Sequence, residues 1–125
     1  MTTTHRKRLQ KLADFLKTVP PKQFDLCSIL EGDPAKLGCG TFACAIGHCP
    51  IVFPRQWRFR GHCSVSLRKD GHTDWLYSTE EFFGLEVAQI DQIFTLHGYP
   101  NMAPVTPKMV ARKIERFLEK AGAAK

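Results

Sequence analysis

Residues 57–68 read WRFRGHCSVSLR, and this stretch decides whether the chain is purely helical or mixed. Its apolar positions recur every second residue. Trp57, Phe59, Gly61, Cys63, Val65 and Leu67 fall on one side; Arg58, Arg60, His62, Ser64, Ser66 and Arg68 fall on the other. Successive strand side chains point to opposite faces, so the pattern predicts a half-buried β-strand. Lys69-Asp70-Gly71 is a turn signal, and HTDWLYS at 72–78 supplies a short returning strand. The expected unit is one β-hairpin over about residues 56–78. Two strands alone are marginal in water, so this hairpin must lie against helices.

Those helices are legible at both ends of the chain. Leu9, Leu12, Ala13, Leu16 and Val19 share one face of an N-terminal helix, with Phe15 beside them and Lys7, Lys11 and Asp14 opposite. Thr3 or Thr4 caps its start, and Pro20-Pro21 ends it. Thr106-Pro107 opens a C-terminal helix whose buried stripe is Val110, Ile114, Phe117, Leu118 and Ala121. Between them, Ser78-Thr79-Glu80-Glu81 reads as a capping box that starts a turn through FFGL. A further helix follows across EVAQIDQIFTL at 86–96, then a loop punctuated by Gly98, Pro100 and Pro104.

The segment CGTFACAIGHC at 39–49 holds three of the five cysteines. Thr41 is a natural N-cap for a helix to about His48, and Pro50 is expected to end it. The segment carries no Asp, Glu, Lys or Arg, and a helix apolar on every side is buried. The expected fold is therefore α+β and mainly helical. Amphipathic terminal helices surround a short buried central helix, with one hairpin, in a single domain over residues 1–125.

Composition excludes several classes of protein. At 43% apolar and 24% charged, the chain is neither a disordered tail nor a disulfide scaffold. No stretch reaches the roughly 18 apolar residues of a membrane span, and the start lacks the apolar core of a secretory signal. The expected setting is the cytoplasm, with the cysteines reduced and no membrane partner. The net charge of +6 is unevenly laid out. Residues 1–22 carry six bases and one acid; residues 54–69 carry five bases and no acid; residues 70–106 carry six acids and no Lys or Arg. Such blocks can steer a charged partner, although helix surfaces are charged in any case.

The same cysteine-rich segment holds the candidates for chemistry. Cys39, Cys44 and His48 are the best zinc ligands, since Cys44 and His48 lie one helical turn apart. Their spacing departs from the usual knuckles, and no Cys-x-x-Cys occurs. Cys44 near a helix start could be a reactive thiol, but nothing supplies a third catalytic group, so no enzyme is expected. The plain reading is a packing element, with His48 a core histidine.

With these residues in view, the chain resembles a family of small uncharacterised bacterial and phage proteins. The resemblance is carried by RLQKLADFL, FDL, CGTFACAIGH, EFFGL, IF, YP and TPKMVARKIERFL, in that order, with a CGTxACxxGH element as its most specific part. It implies that Cys39, Gly40, Thr41, Cys44, Gly47 and His48 are family positions, and a phage or prophage origin. It brings no activity with it.

The leading expectation is a small cytoplasmic protein-binding or regulatory module, a phage accessory factor that modulates a host component. Tyr99, Asn101 and Met102 in the proline-rich loop are candidate contacts, because loops on rigid scaffolds often carry binding. A nucleic-acid-binding protein is the alternative, using basic segments 1–22 and 54–69 with Arg55, Arg58, Arg60 and Arg68 and the interleaved Trp57 and Phe59. A zinc-binding or thiol-dependent protein centred on Cys39, Cys44 and His48 is the other.

Overall fold

A computed structural model describes residues 1–20, 45–60, 64–68, 75–95 and 105–123. Among these, the chain forms α1 (Thr3–Leu16), a 3₁₀ turn (Ile46–His48), α2 (Cys49–Val52), β1 (Trp57–Arg60), β2 (Ser64–Leu67), α3 (Trp75–Phe83), α4 (Val87–Phe94) and α5 (Pro107–Ala123). The mainly helical α+β reading stands. The terminal helices α1 and α5 pack on each other: Leu9, Leu12, Ala13 and Leu16 on α1 and Val110, Ile114 and Leu118 on α5 are buried as read, Ala111 joins them unread, and Phe117 and Ala121 are only partly buried. Among the described residues no helix is long and apolar enough to cross a membrane.

Caps explain where the helices begin. Thr2, rather than Thr3 or Thr4, caps α1: its Oγ1 accepts from His5 N–H at 3.2 Å, and its own N–H donates to His5 Nδ1 at 3.4 Å. Thr106 Oγ1 accepts from Met109 N–H at 3.2 Å, as Thr106-Pro107 foretold. Gln89 returns to the backbone N–H of Glu86 at the start of α4.

The central segment is buried as expected from residue 45 to residue 50, but Pro50 does not end it. The chain passes from the 3₁₀ turn into α2 with Pro50 in the first turn. There a missing N–H is harmless, because first-turn N–H groups lack intrahelical partners anyway.

The hairpin exists with different limits from those expected. Trp57 to Leu67 is two strands, not one: β1 and β2 pair antiparallel in the register Trp57↔Leu67, Arg58↔Ser66, Phe59↔Val65 and Arg60↔Ser64. The reversal falls between Arg60 and Ser64, and WLYS, expected to be strand, opens α3. The alternation survives the reversal because cross-strand partners share a face. Each pair here joins two odd or two even positions. Trp57, Val65 and Leu67 are accordingly buried together, with Phe59 partly so. A hairpin with an odd number of intervening residues therefore mimics a long strand. The turn at Lys69-Asp70-Gly71 lies outside the described residues.

Ser78 does not cap a helix. It sits inside α3, fully buried, and its Oγ accepts from Leu67 N–H at 3.1 Å. Arg68 N–H donates to Gln56 O at 2.8 Å, which extends the ladder and makes 57 and 67 a non-hydrogen-bonded pair. Leu67 N–H thus points outward, and Ser78 closes that strand edge. Thr79 Oγ1 donates to Trp75 O at 2.7 Å. At the far end of α3, Gly84 is left-handed at φ 64°, and Leu85 N–H returns to Glu80 O at 3.2 Å. That is a Schellman C-cap, which favours glycine because it has no Cβ.

Trp57, Phe53, Phe82, Phe83 and Phe94 form the aromatic centre. Trp57 and Phe82 meet edge to face at 5.6 Å, as do Phe53 and Phe82 at 4.8 Å and Phe82 and Phe83 at 5.0 Å. Edge-to-face rings stabilise beyond their buried area.

Candidate functional site

The site grows from basic residues that the fold uses twice, once for structure and once for surface. Arg8 lies on α1, and its Nη1 donates to Phe82 O, in the last turn of α3, at 2.9 Å. Its guanidinium carbon stands 4.0 Å from the centre of the Phe82 ring. A cation suits that position, since the last carbonyls of a helix lack intrahelical donors and carry partial negative charge. Arg68 follows β2 directly. Its Nε donates to two carbonyls of the turn into β1, Pro54 O at 3.0 Å and Trp57 O at 3.1 Å.

Between these two arginines lies a groove of about 310 Å³, lined by Arg8, Arg55, Gln56, Leu67, Arg68, Glu81 and Phe82. The volume is at the small end of the roughly 300–1,000 Å³ of ligand pockets. Arg55, Gln56, Arg68 and Glu81 are exposed at its rim, while Leu67 and Phe82 form a floor that is 4% and 3% exposed. Arg55 makes no hydrogen bond or ion pair among the described residues. Three guanidinium groups against one carboxylate give the groove a positive field, and the apolar floor limits its hydration.

Of the residues expected to bind, Arg55 is here. Arg58 is not: it is half-buried on the opposite face of the hairpin from Trp57, and its Nε is buried with no hydrogen-bond partner among the described residues. Tyr99, Asn101, Met102, Cys39 and Cys44 lie outside the described residues, as does the side chain of Arg60. His48 is 2% exposed, with its ring 6.0 Å from that of Phe15, in keeping with a core histidine. Cys49 is buried and donates weakly to Ala45 O. Among the described residues no three His, Cys, Asp or Glu side chains converge on a point that could hold a metal ion.

Sequence reading does not single out Arg8; it names Arg68 together with Arg55, Arg58 and Arg60 as one basic strand surface. The available signal was the pair of basic blocks, 1–22 and 54–69. Nothing local says that they meet.

Compared with known protein families, curated proteins and solved structures, the chain matches none of them. The functional reading therefore rests on the groove itself.

Proposed function

We propose that this protein is a binding module that engages an acidic segment of another protein through the groove between α1, the turn into β1, the end of β2 and α3. One observation carries the reading. Arg8 from the first basic block meets Arg55 and Arg68 from the second in one concave site. Arginine is the side chain best matched to carboxylates, because its planar fork donates two parallel bonds. An acidic protein segment is favoured over nucleic acid because Phe82, the aromatic residue lining the groove, is core, as are Trp57 and Phe53 packed against it. Trp57 is 0%, Phe82 3% and Phe53 5% exposed, whereas single-strand binders present aromatic faces for bases to stack on. An accessory protein of phage origin, modulating a host component in the cytoplasm, is the setting in which such a module would act.

Fluorescence anisotropy tests the reading, with a labelled Glu-rich peptide and an oligonucleotide of equal charge titrated at stepped salt concentrations. The peptide should bind and the oligonucleotide should bind more weakly. The double charge reversal Arg55→Glu with Arg68→Glu should weaken peptide binding at least tenfold, about 1.4 kcal/mol. Retention of the oligonucleotide alone would transfer the function to nucleic acid. Failure of both to bind at low salt would remove the groove as a recognition site.

A further inference from the structure

Resting on that reading of the groove, we infer that its specific ligand group is a single side-chain carboxylate, met end-on by Arg68 and closed over by Arg55. The stem of the ligand lies on Leu67 and Phe82.

The geometry of Arg68 carries this. A guanidinium has five N–H donors in one plane and can meet a carboxylate side-on, through Nε and one Nη, or end-on, through both Nη groups. In Arg68 the Nε–H is shared between Pro54 O and Trp57 O, so the side-on mode is already taken. Among the described residues the two terminal NH2 groups have no partner. They form a fork whose orientation is set before any ligand arrives. Its backbone is tied too, through the N–H to Gln56 O at 2.8 Å. A head group held this way loses little rotamer freedom on binding, which is the usual advantage of preorganisation.

The three arginines then differ in role. Arg8 is anchored through Nη1 to Phe82 O and over the Phe82 ring, so it contributes a fixed positive charge. Arg55 is exposed, makes no bond among the described residues, and can move onto a bound anion. The floor distinguishes a carboxylate on a methylene stem from a phosphate. Leu67 and Phe82, 4% and 3% exposed, offer that stem only the edge of an apolar floor, but inorganic phosphate has no apolar part to place there.

Titration calorimetry with the same Glu-rich peptide, with glutarate and with inorganic phosphate tests the inference. Glutarate should bind more tightly than phosphate. Arg68→Lys keeps the charge but loses the fork, and should weaken peptide and glutarate about tenfold. Arg68→Lys also removes two bonds to the turn, so side-chain NMR of the unmodified protein supplies a readout independent of folding. Glutarate should shift and slow the Arg68 Nη protons while its Nε–H signal stays in place. Equal binding by Arg68→Lys, a moving Nε–H, or phosphate tighter than glutarate would overturn the end-on carboxylate while leaving peptide recognition intact. No peptide binding by the unmodified protein would overturn both.

Discussion

The α1–α5 pairing and the hairpin–α3 side of the molecule are held together by different means. Between α1 and α5 the contact is mainly a seam of aliphatic stripes, with Arg6 Nη2 donating to Leu118 O at 3.0 Å near its end and other polar groups along its edge. Lys17 Nζ meets Glu115 Oε2 at 2.7 Å, with Gln10 Nε2 on the same carboxylate oxygen at 3.3 Å. On the hairpin side, polar side chains are inside the joint. Ser78 closes the strand edge, Arg68 holds the turn into β1, and Arg8 caps α3 over an aromatic cluster. The difference teaches where function can reside. Aliphatic stripes offer no donors of their own, whereas polar side chains that anchor a backbone with one atom, as Arg8 and Arg68 do here and Arg6 does at Leu118 O, can present the others to a ligand.

Substitutions can break or sharpen that contrast. Trp57→Ala should have the largest effect, about 3–5 kcal/mol by denaturant unfolding, because a fully buried indole ringed by Phe82 and Phe83 is lost. Leu12→Ala in the opposite seam should cost about 2–4 kcal/mol, and a larger loss than that of Trp57→Ala would invert the ranking of the two regions.

Gly84→Ala tests the joint between them. A Cβ there would meet the His5 ring, at a backbone φ of +64° that side chains resist, and about 1–3 kcal/mol should be lost. Adding His5→Ala to Gly84→Ala should cost less than His5→Ala does alone, since the clash has gone; strictly additive effects would show that the ring moves aside freely. Ser78→Ala should cost about 1–2 kcal/mol by leaving Leu67 N–H buried without its acceptor. Its signature is faster hydrogen exchange at Leu67 with α1–α5 amides unchanged.

The smallest effects are those of pH. His5 is held below the ordinary histidine value, first by burial, then by Arg8 and the N-terminal ammonium. Its contribution is therefore present above pH of about 6.5 and lost as the pH falls through the lowered value. Glu115 is held low by the bonds from Lys17 and then Gln10, so its contribution is present above 4.5 and lost further into acid. Acid should loosen α1 in two stages. His5→Gln should remove the first and Glu115→Gln the second, as read from thermal melts across pH. A single stage in the unmodified protein would show that one of the two latches does nothing.

Much of the fold was legible because much of its pattern is local. A stripe such as Leu9, Leu12, Ala13 and Leu16 identifies a helix and its buried face within about two turns of chain. Thr106-Pro107 identifies a helix start within two residues. Readings failed where one local pattern serves two structures. Ser78-Thr79-Glu80-Glu81 has capping-box spelling, but α3 has already begun at Trp75, and the hydroxyl serves a strand instead. Pro50 signals a stop and is equally at home in a first turn. Of the groove, Arg55 and Arg68 were picked out as contacts but Arg8, Glu81 and Phe82 were not, because they lie far along the chain: Phe82 is 74 positions from the Arg8 that donates to its carbonyl.

What the sequence determined by itself was the faces: which side of the two terminal helices and of the β segment is apolar, and that the central segment is buried where it is described, at 45–50. Period and composition settle those, since burial of apolar surface depends on which residues lie on a face and not on what covers it. Only the tertiary structure decided where the β segment reverses, what Ser78 bonds to, and that two basic blocks share one groove. Those outcomes depend on pairing between distant residues. A period of two is unchanged by a reversal that keeps odd opposite odd, and a charge block carries no record of which other block will stand beside it.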